Sequence, residues 1–239
     1  MVNEYLIVDN TETNETDEFR FDGECLVDLK LPSSKIIKGL NSEQRCALDM
    51  LNNPNIKICG VLGNFGSGKT FLSLRMALHC VTDRGLYSKI LAVREPISEG
   101  REVGYLTGNL LEKTEGFFKA IVQSLDGGDQ ELHSLMANGV LEQNIPYYMK
   151  GTTYDQTIIV VDEAEDLSEK QLQMIGIRLG SGSAISFCGD YKQAVKMANI
   201  NNPLVKMCKK LKGNSTFACI VLPEDVRSSV SKIFAELWD

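Results

Sequence analysis

No stretch of this 239-residue chain approaches the roughly 18 consecutive apolar residues that a membrane span needs. The opening MVNEYLIVDN lacks a basic segment followed by an apolar run and a small-residue cleavage site, so it does not read as a signal peptide. There is no Cys-x-x-Cys. The seven cysteines, Cys25, Cys46, Cys59, Cys80, Cys188, Cys208 and Cys219, are odd in number and irregularly spaced, which argues against a disulfide framework or a zinc site. Most sit in apolar runs and read as small buried hydrophobes of a reducing cytosol, so a cytoplasmic location is the expectation. The only two histidines, His79 and His133, are isolated and read as structural. Basic charge is not in excess: a formal net charge of -7 excludes a wholly basic surface, though not a local basic groove. Internal repeats and low-complexity tracts are also missing.

What is present is an ordinary globular composition, 43% apolar and 24% charged, able to bury a core without disulfides or metals. Residues 1–38 stand apart. TETNETDEF is polar and acidic, with short β-like runs EYLIV and ECLVDLKL around it. This segment reads as a small strand pair joined by an acidic loop, or as a partly disordered arm. Residues 39–239 form the second unit. NSEQRCALDML has a Ser-x-x-Gln-like start and then apolar residues at helical spacing. KICGVL reads as a buried strand, FLSLRMALHCV as a helix and KILAV as a second strand. Helices are expected over 109–123 and 129–136, with a glycine break between them. TIIVV and AISFC have the unbroken apolar character of central parallel strands. LSEKQLQMIGIRL is a helix opened by a serine cap, followed by helix PLVKMCKKLK, strand FACIVL and a closing helix SSVSKIFAELW. Alternating strands and helices predict an α/β fold around a mostly parallel sheet.

Between the first buried strand and its helix lies GNFGSGKT, residues 63–70, which fits Gly-x-x-x-x-Gly-Lys-[Ser/Thr]. The spacing is chemical. Successive backbone N–H groups must turn inward around a phosphate, and only glycines at Gly63, Gly66 and Gly68 allow those dihedrals beside a ligand. Asn64, Phe65 and Ser67 complete the loop. Lys69 is expected to reach the β and γ phosphates, Thr70 to place its hydroxyl on Mg²⁺, and the helix N-terminus to add positive potential.

A loop that hydrolyses its nucleotide needs a carboxylate at the end of a neighbouring strand. TIIVVDEAED offers Asp162 for Mg²⁺ and Glu163 to orient and deprotonate the attacking water. AISFCGDYKQ ends in Gly189 and Asp190, with Gln193 placed to sense the γ-phosphate. Gln44, upstream of the loop, has an amide suited to the N6 and N7 edge of adenine. Arg227, after the last strand, is a candidate to stabilise charge on the leaving phosphate.

Together these residues resemble the PhoH family of P-loop ATPases, themselves similar to the first motor domain of superfamily 1 helicases. REPISEGREVGYLTGNLLEK, IPYYMKGTTYDQTIIVVDEAE and LPEDVRSSVSKI carry the resemblance beyond the nucleotide motifs, over roughly 36–238. It implies a RecA-like core, ATP and Mg²⁺ as ligands, a homo-oligomeric ring of six, and RNA or single-stranded DNA as substrate. By the same resemblance Arg94 and Arg101, beyond the second strand, and Tyr105 are candidates to contact the nucleic acid. The chain departs from the family pattern in having Glu165 where Gln is frequent, Lys150-Gly151-Thr152 where Arg-Gly-Arg is frequent, and Glu95 between Arg94 and Pro96.

Three functions share this loop. The first is a nucleic-acid-dependent ATPase. The second is a nucleotide-gated binding protein with slow turnover, which the acidic arm and the net charge suit; the intact Asp162-Glu163 pair fits it worse, since a pure sensor does not need the catalytic glutamate. The third is a small-molecule kinase, disfavoured because no arginine-rich lid is evident. Asn-Lys-x-Asp, the guanine-reading signature, is absent. The basic cluster Lys206, Lys209, Lys210 and Lys212 reads as a solvated helix face.

Overall fold

The structure, a computed structural model, describes residues 1–12, 15–95, 122–190, 192 and 201–226. The N-terminal arm folds as an antiparallel sheet of β1 (Tyr5–Asn10), β2 (Glu15–Phe21) and β3 (Leu26–Asp28), in that order. This corrects the sequence reading. The acidic segment taken for a loop supplies most of β2: its backbone pairs in register with β1, and Glu18 finds a cationic partner on the first helix of the larger unit. Arg20 is buried and donates through Nε to Asp49 at 3.1 Å. Glu18 pairs with Arg45. Asp49 also accepts from the Tyr5 hydroxyl at 2.8 Å and from the Lys30 amide at 2.7 Å. Both Arg45 and Asp49 lie on α1 (Ser42–Asn52), so ion pairs and hydrogen bonds fasten the arm to the first helix of the larger unit. That helix is capped by Asn41, one residue earlier than the serine. The Asn41 side chain accepts from the Gln44 amide at 2.9 Å.

The larger unit is a six-stranded parallel sheet: β4 (Ile58–Gly63), β5 (Lys89–Arg94), β6 (Leu141–Asn144), β7 (Thr157–Asp162), β8 (Ala184–Gly189) and β9 (Phe217–Leu222), in spatial order β6-β5-β7-β8-β4-β9. Side-chain alternation divides the interior into two cores. Ile158 and Val160 of β7 face α1 and α2 (Lys69–Thr82), while Ile159 and Val161 face α4 (Glu169–Gly176) and α5 (Pro203–Leu211). Burial on both faces explains why these strands read as continuous apolar runs. Helix α3 (Gly128–Ala137) joins the first core through Leu132.

Edge strand β6 is not evident in the sequence, since only Leu141 of its four residues is buried. Helix α4 ends at Gly176, three residues short of the expected end, after opening in a reciprocal Ser168–Gln171 capping box. The helix expected over 109–123 lies almost wholly outside the described residues, and the closing helix over 228–238 entirely so. One expectation about the site also changes. The strand that ends in Asp162 is not the direct neighbour of β4, because β8 runs between them. All strands are parallel, so their C-terminal ends nevertheless meet along one rim.

Candidate nucleotide site

The loop between β4 and α2 lies at the centre of that rim. A Cβ on Gly63 would stand 2.3 Å from the Leu222 carbonyl oxygen, so only glycine lets β4 and β9 close up here. Gly68 has φ +89° and begins α2 with no side-chain cap, leaving the first helical N–H groups directed to the cleft. Asn64 ties the loop down, donating from Nδ2 to the Pro223 carbonyl at 2.6 Å, and Ser67 Oγ donates to the Asn64 carbonyl at 2.8 Å. Lys69 Nζ turns back on the loop and donates to the carbonyls of Gly63 and Asn64 at 2.9 and 2.8 Å. Phe65 is exposed at the tip. The Val226 amide donates to the Gly66 carbonyl at 3.3 Å, so the chain after β9 returns to the loop.

Three strand ends bring the carboxylates to it. Thr70 Oγ1 donates to Asp162 Oδ1 at 2.6 Å. Register pairs Arg94, the last residue of β5, with Asp162, the last of β7. The Arg94 guanidinium spans both acids: Nη1 donates to Asp162 Oδ2 at 3.1 Å, and Nη2 lies 2.7 Å from Glu163 Oε1. Arg94 therefore sits on a strand end and is turned to the acids, rather than on the loop beyond it. Glu163 adopts a left-handed conformation, φ +49° and ψ +45°, uncommon for a residue with a Cβ. Desolvation holds its carboxyl above the ordinary carboxylate range, against the opposing pull of Arg94.

Glu165, two residues on, was legible in the sequence only as a departure from a pattern. It is 6% exposed, and burial pushes its carboxyl up to about 7 although the amides of Glu165 and Asp190 donate to it. Its Oε2 has no hydrogen-bond partner. A Cβ on Gly189 would lie 2.7 Å from that oxygen. Asn202, which caps α5, donates to the Glu165 carbonyl at 2.8 Å. Glu165 thus joins the carboxylate turn to the end of β8 and to α5.

Gln44 is buried on the same cleft. Its Oε1 accepts from the Leu40 amide at 2.8 Å and its Nε2 donates to the Ser67 carbonyl at 3.0 Å, bracing the phosphate loop. The cleft has a volume of about 840 Å³, and its walls include Gln44, Lys69, Thr70, Asp162, Glu163 and Asp190. Of the remaining expected site residues, Gln193, Arg227, Arg101 and Tyr105 lie outside the described residues. In the lysine cluster, Lys206 pairs with Glu169 and Lys212 with Glu4 of the arm, so two of the four already neutralise carboxylates.

For Mg²⁺, the Thr70 hydroxyl and a single Asp162 carboxylate, 2.6 Å apart, are hard oxygen donors of the right kind. That ion takes one or two carboxylates together with phosphate oxygens and water rather than an all-protein cage. Among the described residues no helix is long and apolar enough to cross a membrane.

Comparison with known proteins agrees with this geometry. The PhoH-like protein family matches residues 36–239. Protein PhoH2 of Bacillus subtilis is 28% identical over 209 residues, covering 84% of this chain and 47% of that protein. Protein PhoH2 of Thermobispora bispora is 29% identical over 205 residues, 84% and 47% of the two chains. The PhoH-like protein of Mycobacterium leprae is 31% identical over 169 residues, 70% and 48% of the two chains. The chain thus spans about half the length of these relatives. A parallel sheet, a glycine cradle and a strand-end Asp-Glu pair are those of a P-loop nucleotide-binding fold, and the chain belongs to the PhoH-like family.

Proposed function

We propose that this protein binds ATP with Mg²⁺, hydrolyses it, and couples the hydrolysis to remodelling or unwinding of RNA or single-stranded DNA. The observation that carries the ATPase reading is the convergence of Lys69, Thr70, Asp162 and Glu163 on one cleft. Lys69 exchanges its two loop carbonyls for phosphate oxygens. Gln44 lines the same cleft, where exchange of its Leu40 and Ser67 partners would free its amide for the edge of the base. Mg²⁺ held there would supply positive charge to the developing negative charge on the phosphate oxygens. Glu163, poised by desolvation, accepts a proton from the attacking water. Asp162 and Thr70 are the residues that would hold the metal.

Free thiols at all seven cysteines suit a reducing, cytoplasmic setting. A ring of six copies would let an arginine from one subunit complete the site of the next; activity per subunit that falls on dilution supports this, and constant activity opposes it. One observation favours the second reading, a nucleotide-gated binder with slow turnover. Arg94 occupies both carboxylates at once, and while it does so Glu163 is restrained.

The deciding experiment measures ATP turnover with and without single-stranded RNA or DNA, beside a Glu163→Gln control. Turnover that rises with nucleic acid and is lost in the control supports the motor. Turnover that ignores nucleic acid keeps the ATPase and removes the coupling. Turnover no higher than the control supports the gated binder.

A further inference from the structure

The rim of the sheet carries a second feature outside the cleft. After β6 the chain makes a 3₁₀ turn, Pro146–Met149. In such a turn residues three apart share a face. Pro146 and Met149 are accordingly buried, Met149 completely, and act as two anchors in the core. The two residues between them are forced outward. Tyr147 is 69% exposed and Tyr148 54%. Their rings meet edge to face, centroids 5.2 Å apart and planes at 89°. Lys150 Nζ stands 5.3 Å from the Tyr147 ring centroid.

The turn is held from several sides. The Tyr148 amide donates to the Ile145 carbonyl at 3.1 Å, the Ile145 amide to Asn144 Oδ1 at 2.8 Å, and Asn144 Nδ2 to the Tyr154 hydroxyl at 3.3 Å. The rings are therefore presented on fixed backbone, with little ordering left to be done on binding. β6 is parallel to β5, and β5 to β7, so this turn lies at the same end of the sheet as the nucleotide cleft. In spatial order it is followed by Arg94 at the end of β5 and the Asp162-Glu163 pair at the end of β7.

We propose that Tyr147, Tyr148 and Lys150 form a stacking platform for a single strand of nucleic acid running along the C-terminal rim of the sheet. The inference rests on the nucleic-acid reading above and locates it at named residues. Two exposed rings beside a cation, followed by exposed Gly151 and Thr152, do not make a continuous apolar patch of the kind a protein partner buries. Ring and cation side by side match the base and phosphate of a single strand, and any base can stack on a tyrosine face. Lys150 supplies a point charge to the backbone phosphate.

The test is binding of short fluorescent oligouridine and oligothymidine probes by fluorescence anisotropy across a salt series. Tyr147→Ala and Tyr148→Ala should each weaken binding roughly 5- to 150-fold. Tyr147→Phe and Tyr148→Phe should retain it, since the stacking face survives. Lys150→Ala should lower the slope of log affinity against log salt by about 0.7. Melting temperatures of the variants check that they remain folded. Wild-type binding that the double alanine variant matches overturns the platform and leaves the nucleic-acid reading standing. A wild-type protein that turns over ATP yet binds neither probe removes that reading and the platform with it. A double variant that binds normally but sediments as a smaller species overturns the platform in favour of an interface between copies of this chain.

Discussion

The arm and the cleft both use buried charge, and they use it differently. In the arm, Asp49 receives the Arg20 guanidinium, the Tyr5 hydroxyl and the Lys30 amide, and Glu18 receives Arg45. Each of these two acids is matched. In the cleft one arginine serves two acids, Glu163 sits in a left-handed conformation, and Glu165 keeps an oxygen with no hydrogen bond. Satisfied charges hold elements together. Under-satisfied ones, costly in a low dielectric, are retained where chemistry or switching uses them. The arm is built as a fastening and the rim of the sheet as a working site.

The largest expected effect separates the two at once. Glu163→Gln should cut ATP turnover about 10²–10⁴-fold while the melting temperature holds, because the group lost is the proposed base and not a fastening. Asp49→Ala should do the reverse. Removing the acid strands a buried guanidinium and should cost about 3–5 kcal/mol in denaturant unfolding. Turnover at a temperature where the variant stays folded should be kept. Loss of turnover in folded Asp49→Ala protein would break the distinction between the regions.

Glu165 sharpens it in the pH dimension. Its folded-state pKa, about 7, lies above the ordinary 4.5, so the native state favours the protonated carboxyl. Wild-type stability should therefore fall, relative to Glu165→Gln, as pH rises from about 4.5 to about 7, and the gap should then stay constant. The glutamine variant should gain up to about 3 kcal/mol at pH 8 and little at pH 4. Urea unfolding at the two pH values measures the difference, and a gap independent of pH would contradict it. The smallest effect is at Arg94. Arg94 pulls the Glu163 carboxyl down, so Arg94→Ala should move the acid limb of the rate–pH profile to higher pH. A limb that stays in place would show that the ion pair does not govern the base.

What the sequence discloses about each region follows from how local its physics is. The phosphate cradle is legible because Gly63, Gly68 and Lys69 act through backbone geometry within one turn. Strands β7 and β8 are legible because burial on both faces leaves no polar interruption. The arm's β character is legible but the extent of β2 is not, since Glu18 and Arg20 find their partners Arg45 and Asp49 only when α1 lies against the arm. Arg94 reads as a residue of the loop beyond the second strand, a candidate to contact nucleic acid. Its true direction depends on β5 lying beside β7 in a register that sets Arg94 opposite Asp162, a relation between segments far apart in the chain. Tyr147 and Tyr148 escape notice for a related reason: nothing in IPYYMK tells which side chains face out until the 3₁₀ turn buries Pro146 and Met149.

The central claim is that the rim residues turn over a nucleotide. Its most direct test is phosphate release from ATP by the purified protein, with Mg²⁺ and with excess chelator, beside Glu163→Gln. The expected result is release that requires the metal and is lost in the variant, while the variant still binds ATP. Equal release by wild type and Glu163→Gln, in Mg²⁺, would contradict the assignment of Glu163 as the base and with it the account of the cleft.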